Sequence, residues 1–109
     1  MKAVLLSTHH LTLTDAIKKL TTEKLAKLFH LDQRIQRARV ELAEERDRTS
    51  ATKLRFTARA ILDGAGAVAT AASEDLYKSI DLLVRKLDGQ LRRKHGAVQV
   101  RRKYALQAA

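Results

Sequence analysis

A chain of 109 residues has room for one domain with one core, hiding roughly two-thirds of the surface that its unfolded form would expose. It contains no cysteine, which excludes disulfides and zinc–thiolate sites and fits a reducing cytoplasm. Its 22 Lys and Arg against 12 Asp and Glu give a net charge of +10. Eight of the cations fall between Arg85 and Lys103, where Asp88 is the only acid. Self-repulsion on this scale opposes folding, so the balance points to a polyanionic partner.

The opening run Ala3-Val4-Leu5-Leu6 stops at Ser7-Thr8-His9-His10. Four apolar residues are too few for a signal core or a membrane span, so residues 2–8 read as a buried strand. Thr14 followed by Asp15 predicts an N-cap and a helix over about residues 15–29. Its apolar positions Ile17, Leu20, Leu25 and Leu28 share one side with Thr21, and Lys18, Lys19 and Lys27 lie off it. Lys24 falls at the edge, where its stem can lie on the core while the ammonium reaches water. Residues 35–44 and 53–62 alternate, with Ala38, Val40 and Leu42, then Leu54, Phe56, Ala58 and Ala60, on single faces. That period of two predicts half-buried antiparallel strands, joined by the polar loop 45–50.

Asp63-Gly64 signals a tight turn into a short strand at 67–72. Ser73, Glu74 and Asp75 read as an N-cap and two acids at the start of a second helix. Its stripe is Leu76, Ile80, Leu83, Val84, Leu87 and Leu91, and Gly96 is the expected stop. The order β-α-β-β-β-α predicts an α+β fold, with two helices packed on one face of a four-stranded sheet. The expected division is a domain over 1–96 and a basic, flexible tail over 97–109.

Catalysis finds no support in the residues. His9 and His10 are adjacent on extended chain and point to opposite faces, so they cannot easily hold one metal together. There is no HExxH, no Gly-rich phosphate loop and no thiol nucleophile. The expectation is a binding protein: no catalytic residue, no metal, no cofactor, no small-molecule substrate and no membrane. Opposite the apolar stripe of the second helix, Lys78, Arg85 and Arg92 are spaced by seven residues, about 10 Å each along the axis. Lys86 and Arg93 flank this line. Such a row can address several phosphates, Arg by paired hydrogen bonds and Lys as a point charge. The outer sheet face also carries cations, Arg37, Arg39, Lys53, Arg55 and Arg59. With two Phe and two Tyr in the chain, a base-stacking sheet is not expected. Contacts should run through phosphates and shape.

Several segments together resemble a known family. They are Leu13-Thr14-Asp15-Ala16-Ile17, Glu23-Lys24-Leu25-Ala26-Lys27-Leu28, Ala71-Ala72-Ser73-Glu74-Asp75-Leu76-Tyr77-Lys78-Ser79-Ile80-Asp81, Lys86-Leu87, and Gln90-Leu91-Arg92-Arg93-Lys94-His95. In order and spacing, over about residues 2–96, they look like the ribosome hibernation-promoting factor and ribosome-associated translation inhibitor family, whose older label is sigma-factor modulation protein. The resemblance implies a double-stranded-RNA-binding-like fold docked in the mRNA and tRNA channel of the small ribosomal subunit. There it would block decoding in resting or stressed cells, in the cytoplasm. It implies rRNA contacts from Lys24, Lys27, Lys78, Arg85, Lys86, Arg92, Arg93 and Lys94. Further candidates are His9, His10, Lys18 and Lys19. Two places depart from the family pattern: Thr8-His9-His10 stands where a Gly-(basic)-(His/Asn) corner is common, and the turn Phe29–Ile35 is longer. The chain reads as a short form, monomeric off the ribosome. Two other functions stay open, a regulator of transcription acting through an alternative sigma factor and a general double-stranded-RNA binder.

Overall fold

The computed structural model describes residues 3–46 and 54–108, with side chains as far as Arg93. The elements follow the expected order: β1 (Ala3–His9), α1 (Asp15–Leu31), β2 (Arg37–Arg46), β3 (Leu54–Asp63), β4 (Ala67–Ser73) and α2 (Leu76–Ala108). The sheet has four strands in the order β1-β2-β3-β4. β1 pairs parallel with β2, bringing Leu6 opposite Val40, and the other two pairings are antiparallel. A parallel pair needs a crossover, and α1 supplies it.

Alternation decides which face is covered. Ala38, Val40 and Leu42 of β2, Ala58, Ala60 and Leu62 of β3, and Ala67, Ala69 and Ala71 of β4 are all buried against the helices. Small alanines on β3 and β4 let α2 come close, and it packs on these two strands while α1 lies beside α2 and over β1. Ile17, Leu25 and Leu28 of α1 and Leu76, Ile80, Leu83, Leu87 and Leu91 of α2 complete the core. Both predicted stripes are therefore core, with Leu20 and Val84 at the margin.

The caps follow local chemistry. The Thr14 hydroxyl accepts from the Ile17 N–H at 3.2 Å, and the Thr14 carbonyl accepts from Lys18 N–H at 3.0 Å. At the other end α1 runs to Leu31, two residues beyond the expected 29, and Asp32 closes it. The Asp32 carboxylate is 6 % exposed and accepts from the Arg34 backbone N–H and guanidinium. That hydrogen bonding raises the Arg34 pKa further. The N-cap of α2 differs from expectation. Ser73 ends β4, and Asp75 takes the cap: its carboxylate accepts from Tyr77 N–H at 3.1 Å and its carbonyl from Ser79 N–H at 3.0 Å.

The turn between β3 and β4 is as tight as Asp63-Gly64 suggested. Gly64 has φ +97°, and a Cβ there would lie 2.0 Å from the Arg34 carbonyl oxygen. Only glycine meets both demands. Gly96, by contrast, does not stop α2. Helical backbone continues to Ala108, since an interior glycine costs only about 1 kcal/mol relative to alanine and no proline follows it. β2 also extends to Arg46, into the expected 45–50 loop, whose remainder lies outside the described residues, as does Lys53.

Candidate nucleic-acid interface

The two helices present a groove on the side away from the sheet. Lys24, Lys27, Leu28, His30 and Leu31 of α1 form one wall, and Asp81, Val84, Arg85, Asp88 and Arg92 of α2 form the other. Helical spacing explains the gathering. Positions 24, 27, 28 and 31 share one side of α1, and 81, 84, 85, 88 and 92 share one side of α2. The apolar members Leu28 and Val84 lie at the bottom, and the charged tips stand above them.

Two acids regulate these cations. Lys24 Nζ donates to Asp81 Oδ1 at 3.2 Å, and an Arg85 Nη lies 3.3 Å from the second Asp81 oxygen. Arg92 Nε lies 3.0 Å from Asp88 Oδ1. The pairs are open to water, with Arg85 75 % and Arg92 67 % exposed. Such surface pairs are worth only about 0–1 kcal/mol, so a phosphate can compete for each guanidinium. They hold the cations in place without neutralising the groove, where Lys27 has no such partner among the described residues.

The remaining predicted cations separate by position. Lys78 is exposed on the first turn of α2. Lys86 and Arg93 stand on the opposite flank of α2 from the groove, over Ala69 and Thr70 of β4. Lys86 Nζ donates to the Thr70 carbonyl at 2.7 Å, while the Gln90 amide donates to the Val68 carbonyl at 2.8 Å and accepts from its N–H at 3.2 Å. These side chains satisfy the outward backbone groups of an edge strand that would otherwise be open to pairing. Lys86 thus has a structural task that its sequence position did not reveal. Lys18 and Lys19 are exposed on α1. Lys94 is in the helical backbone of α2, and its side chain lies outside the described residues.

The outer sheet face is less basic than its cations suggested. Asp63 accepts from Arg37 at 2.7 Å and from both ends of the Arg39 fork at 2.8 Å. Hydrogen bonds from Arg39 and then Arg37 hold the Asp63 carboxyl below its ordinary range. Glu41 stands opposite Arg59, Glu45 opposite Arg55, and His9 Nε2 is 2.5 Å from Glu41. These acids sit among the cations on alternating positions, so the face is of mixed sign. His10 turns away at the β1 corner with φ +55°, a left-handed conformation that only a few non-glycine residues adopt. Both histidines nevertheless border one hollow of the outer sheet face, with Glu41, Glu45 and Arg59. Among the described residues no cluster of three His, Asp or Glu could hold a metal ion, and no helix is long and apolar enough to cross a membrane.

Two residues of this region escaped the sequence reading. His30 lines the groove three residues after Lys27, a spacing that could have placed it there. Tyr77 is 50 % exposed at the head of the same side of α2; its absence from the apolar stripe was the available signal.

Comparison with known proteins agrees with this architecture. Residues 4–99 match the family model described as Sigma 54 modulation protein / S30EA ribosomal protein. The chain is 37 % identical over 97 residues to a protein of Azotobacter vinelandii named ribosome hibernation promoting factor, an alignment covering 89 % of this chain and 85 % of that one. The N-terminal domain of Protein Y from Thermus thermophilus superposes with a TM-score of 0.64 at 30 % identity, over 85 % of this chain and 98 % of that one. A ribosomal subunit interface protein from Coxiella burnetii shares the fold, with a TM-score of 0.64 at 24 % identity over 86 % and 98 % of the two chains. By fold and by sequence, the chain belongs to the Sigma 54 modulation protein / S30EA ribosomal protein family, which includes ribosome hibernation factors.

Proposed function

We propose that this chain is a ribosome hibernation factor that docks on the small ribosomal subunit, in the mRNA and tRNA channel, and inhibits translation in resting or stressed cells. The observation that carries the proposal is the groove between α1 and α2, where Lys24, Lys27, His30, Arg85 and Arg92 converge on one surface. A relative 37 % identical carries the name of a hibernation promoting factor, which supports the ribosomal address. In this proposal the groove cations meet rRNA phosphates, Lys78 extends the contact, and Arg93 and Lys94 reach rRNA from the far end of α2. Lys18 and Lys19 elsewhere on α1, and His9 and His10 at the outer sheet face, would be secondary contacts away from the groove. Lys86 can turn to RNA only by giving up its bond to β4. The ribosome-binding domain ends near residue 96, the basic segment 97–109 adds positive charge, and the protein acts as a cytoplasmic monomer that needs no cofactor and performs no catalysis.

Sedimentation of a stationary-phase lysate tests the proposal. Comigration with small subunits or whole ribosomes is expected, and recovery only in the ribosome-free fraction would overturn it. That second outcome would favour one of the two other functions, a regulator of transcription or a binder of any RNA duplex. Replacing Arg85, Arg92 and Arg93 with Glu is expected to abolish comigration while leaving the melting transition intact.

A further inference from the structure

Of the described aromatic residues, Phe29 and Phe56 pack against the core, whereas Tyr77 leaves half its surface in water. Its backbone N–H is used in the Asp75 cap, but its hydroxyl makes no hydrogen bond among the described residues. The fold therefore gives no reason for an aromatic ring here. Tyr77 lies one turn before Asp81 and within about 40° of it around the helix, so it stands at the head of the groove. Arg85 follows two turns later, about 12 Å along the axis, and Lys78 is its immediate neighbour. Glu74 and Asp75, both exposed, stand just before it. Those carboxylates repel a phosphate, yet they tolerate a neutral base and can accept hydrogen bonds from its amino groups.

We propose that Tyr77 is a stacking platform for one unpaired RNA base, at the point where the nucleic-acid backbone enters the groove between α1 and α2. The inference rests on the small-subunit reading above and adds to it a contact that is not electrostatic. Stacking of a base on an aromatic ring depends on the ring face and little on salt, and its loss commonly lowers affinity by about 10-fold or more. Binding to purified small subunits should be measured across a salt series for the wild type, Tyr77→Phe, Tyr77→Leu and Tyr77→Ala. Tyr77→Phe is expected to bind within about twofold of wild type, since it keeps the stacking face. Tyr77→Leu and Tyr77→Ala are expected to lose about 10-fold at every salt concentration, with the slope of log affinity against log salt unchanged. Unchanged affinity in Tyr77→Ala, or full affinity in Tyr77→Leu, would overturn the stacking role while leaving the groove assignment standing. Failure of the wild type to bind would overturn the small-subunit reading itself, and this inference with it. Melting curves of the four proteins should lie close together, because half of the Tyr77 surface is already in water.

Discussion

Asp81 is the residue whose removal should strengthen the protein's function. It lies between two groove cations, 3.2 Å from Lys24 Nζ and 3.3 Å from an Arg85 Nη. Asp81→Asn keeps the shape, removes one negative charge and releases both cations to a phosphate. Asp81 is 42 % exposed and Arg85 75 %, so the fold should lose less than about 1 kcal/mol. The gain in binding can be bounded by counterion release. Each phosphate neutralised contributes a slope of about −0.7 to −0.9 in log affinity against log salt. One added contact is therefore worth roughly 5- to 8-fold at 0.1 M salt relative to 1 M. The expected result is a Kd for small subunits about 5- to 8-fold lower at 0.1 M salt, a steeper slope by about one contact, and convergence with wild type near 1 M. The absence of native cysteine allows one engineered thiol to carry a fluorophore for the titration. An unchanged Kd and slope would refute the idea that Asp81 holds groove cations in reserve. Weaker binding would mean that the carboxylate itself contacts the partner.

Gly64→Ala should destabilise the fold severely, because the positive φ alone costs on the order of 1–3 kcal/mol and the new Cβ would meet the Arg34 carbonyl at 2.0 Å; thermal melts measure it, and a wild-type transition would contradict the turn geometry. Ser79 is fully buried, and its hydroxyl donates to the Phe56 carbonyl at 2.8 Å while meeting Ser73 Oγ at 2.8 Å. Ser79→Ala should cost about 1–3 kcal/mol by removing these buried hydroxyl hydrogen bonds, seen as a melting temperature lower by roughly 5–20 °C for a domain this size. Acid should weaken the sheet through Asp63. Its folded pKa lies below the ordinary 3.8, so its stabilisation is complete above that value and is lost as pH falls through the depressed one. Asp63→Asn should therefore melt with a weaker dependence on pH below about 4 than wild type, and parallel acid profiles would refute the Arg37–Asp63–Arg39 clamp.

Local signals carried much of this fold. Period-two runs at 35–44 and 53–62, the two helical stripes, Thr14 and Asp63-Gly64 each act within a few residues, where side-chain direction and backbone sterics decide the outcome. Long-range choices were less visible. Ser73 and Asp75 are both good caps, and the end of β4 against β3 decides between them, since Ser73 is paired with Phe56. Gly96 has the right residue type for a helix end, but it lacks a following proline or an αL turn to enforce the stop. In the site, the basic helix faces and the i,i+4 pairs Arg85–Asp81 and Arg92–Asp88 were legible from spacing, whereas partners from other elements were not. Asp81 reaches Lys24 across 57 positions of sequence and Asp63 reaches Arg39 across 24. Those separations explain why the sheet read as more basic, and Lys86 as freer, than the folded protein makes them.

On the proposed function, the groove, and not bulk positive charge, holds the ribosome. Two double variants of equal net charge separate these ideas: Lys27→Gln with Arg85→Gln in the groove, and Arg55→Gln with Arg59→Gln on the outer sheet face. Cosedimentation with purified small subunits at 0.1 M salt is the measurement. The groove variant should lose affinity by roughly 25- to 60-fold, two phosphate contacts' worth, while the sheet variant stays close to wild type. Equal losses in the two proteins would contradict the account.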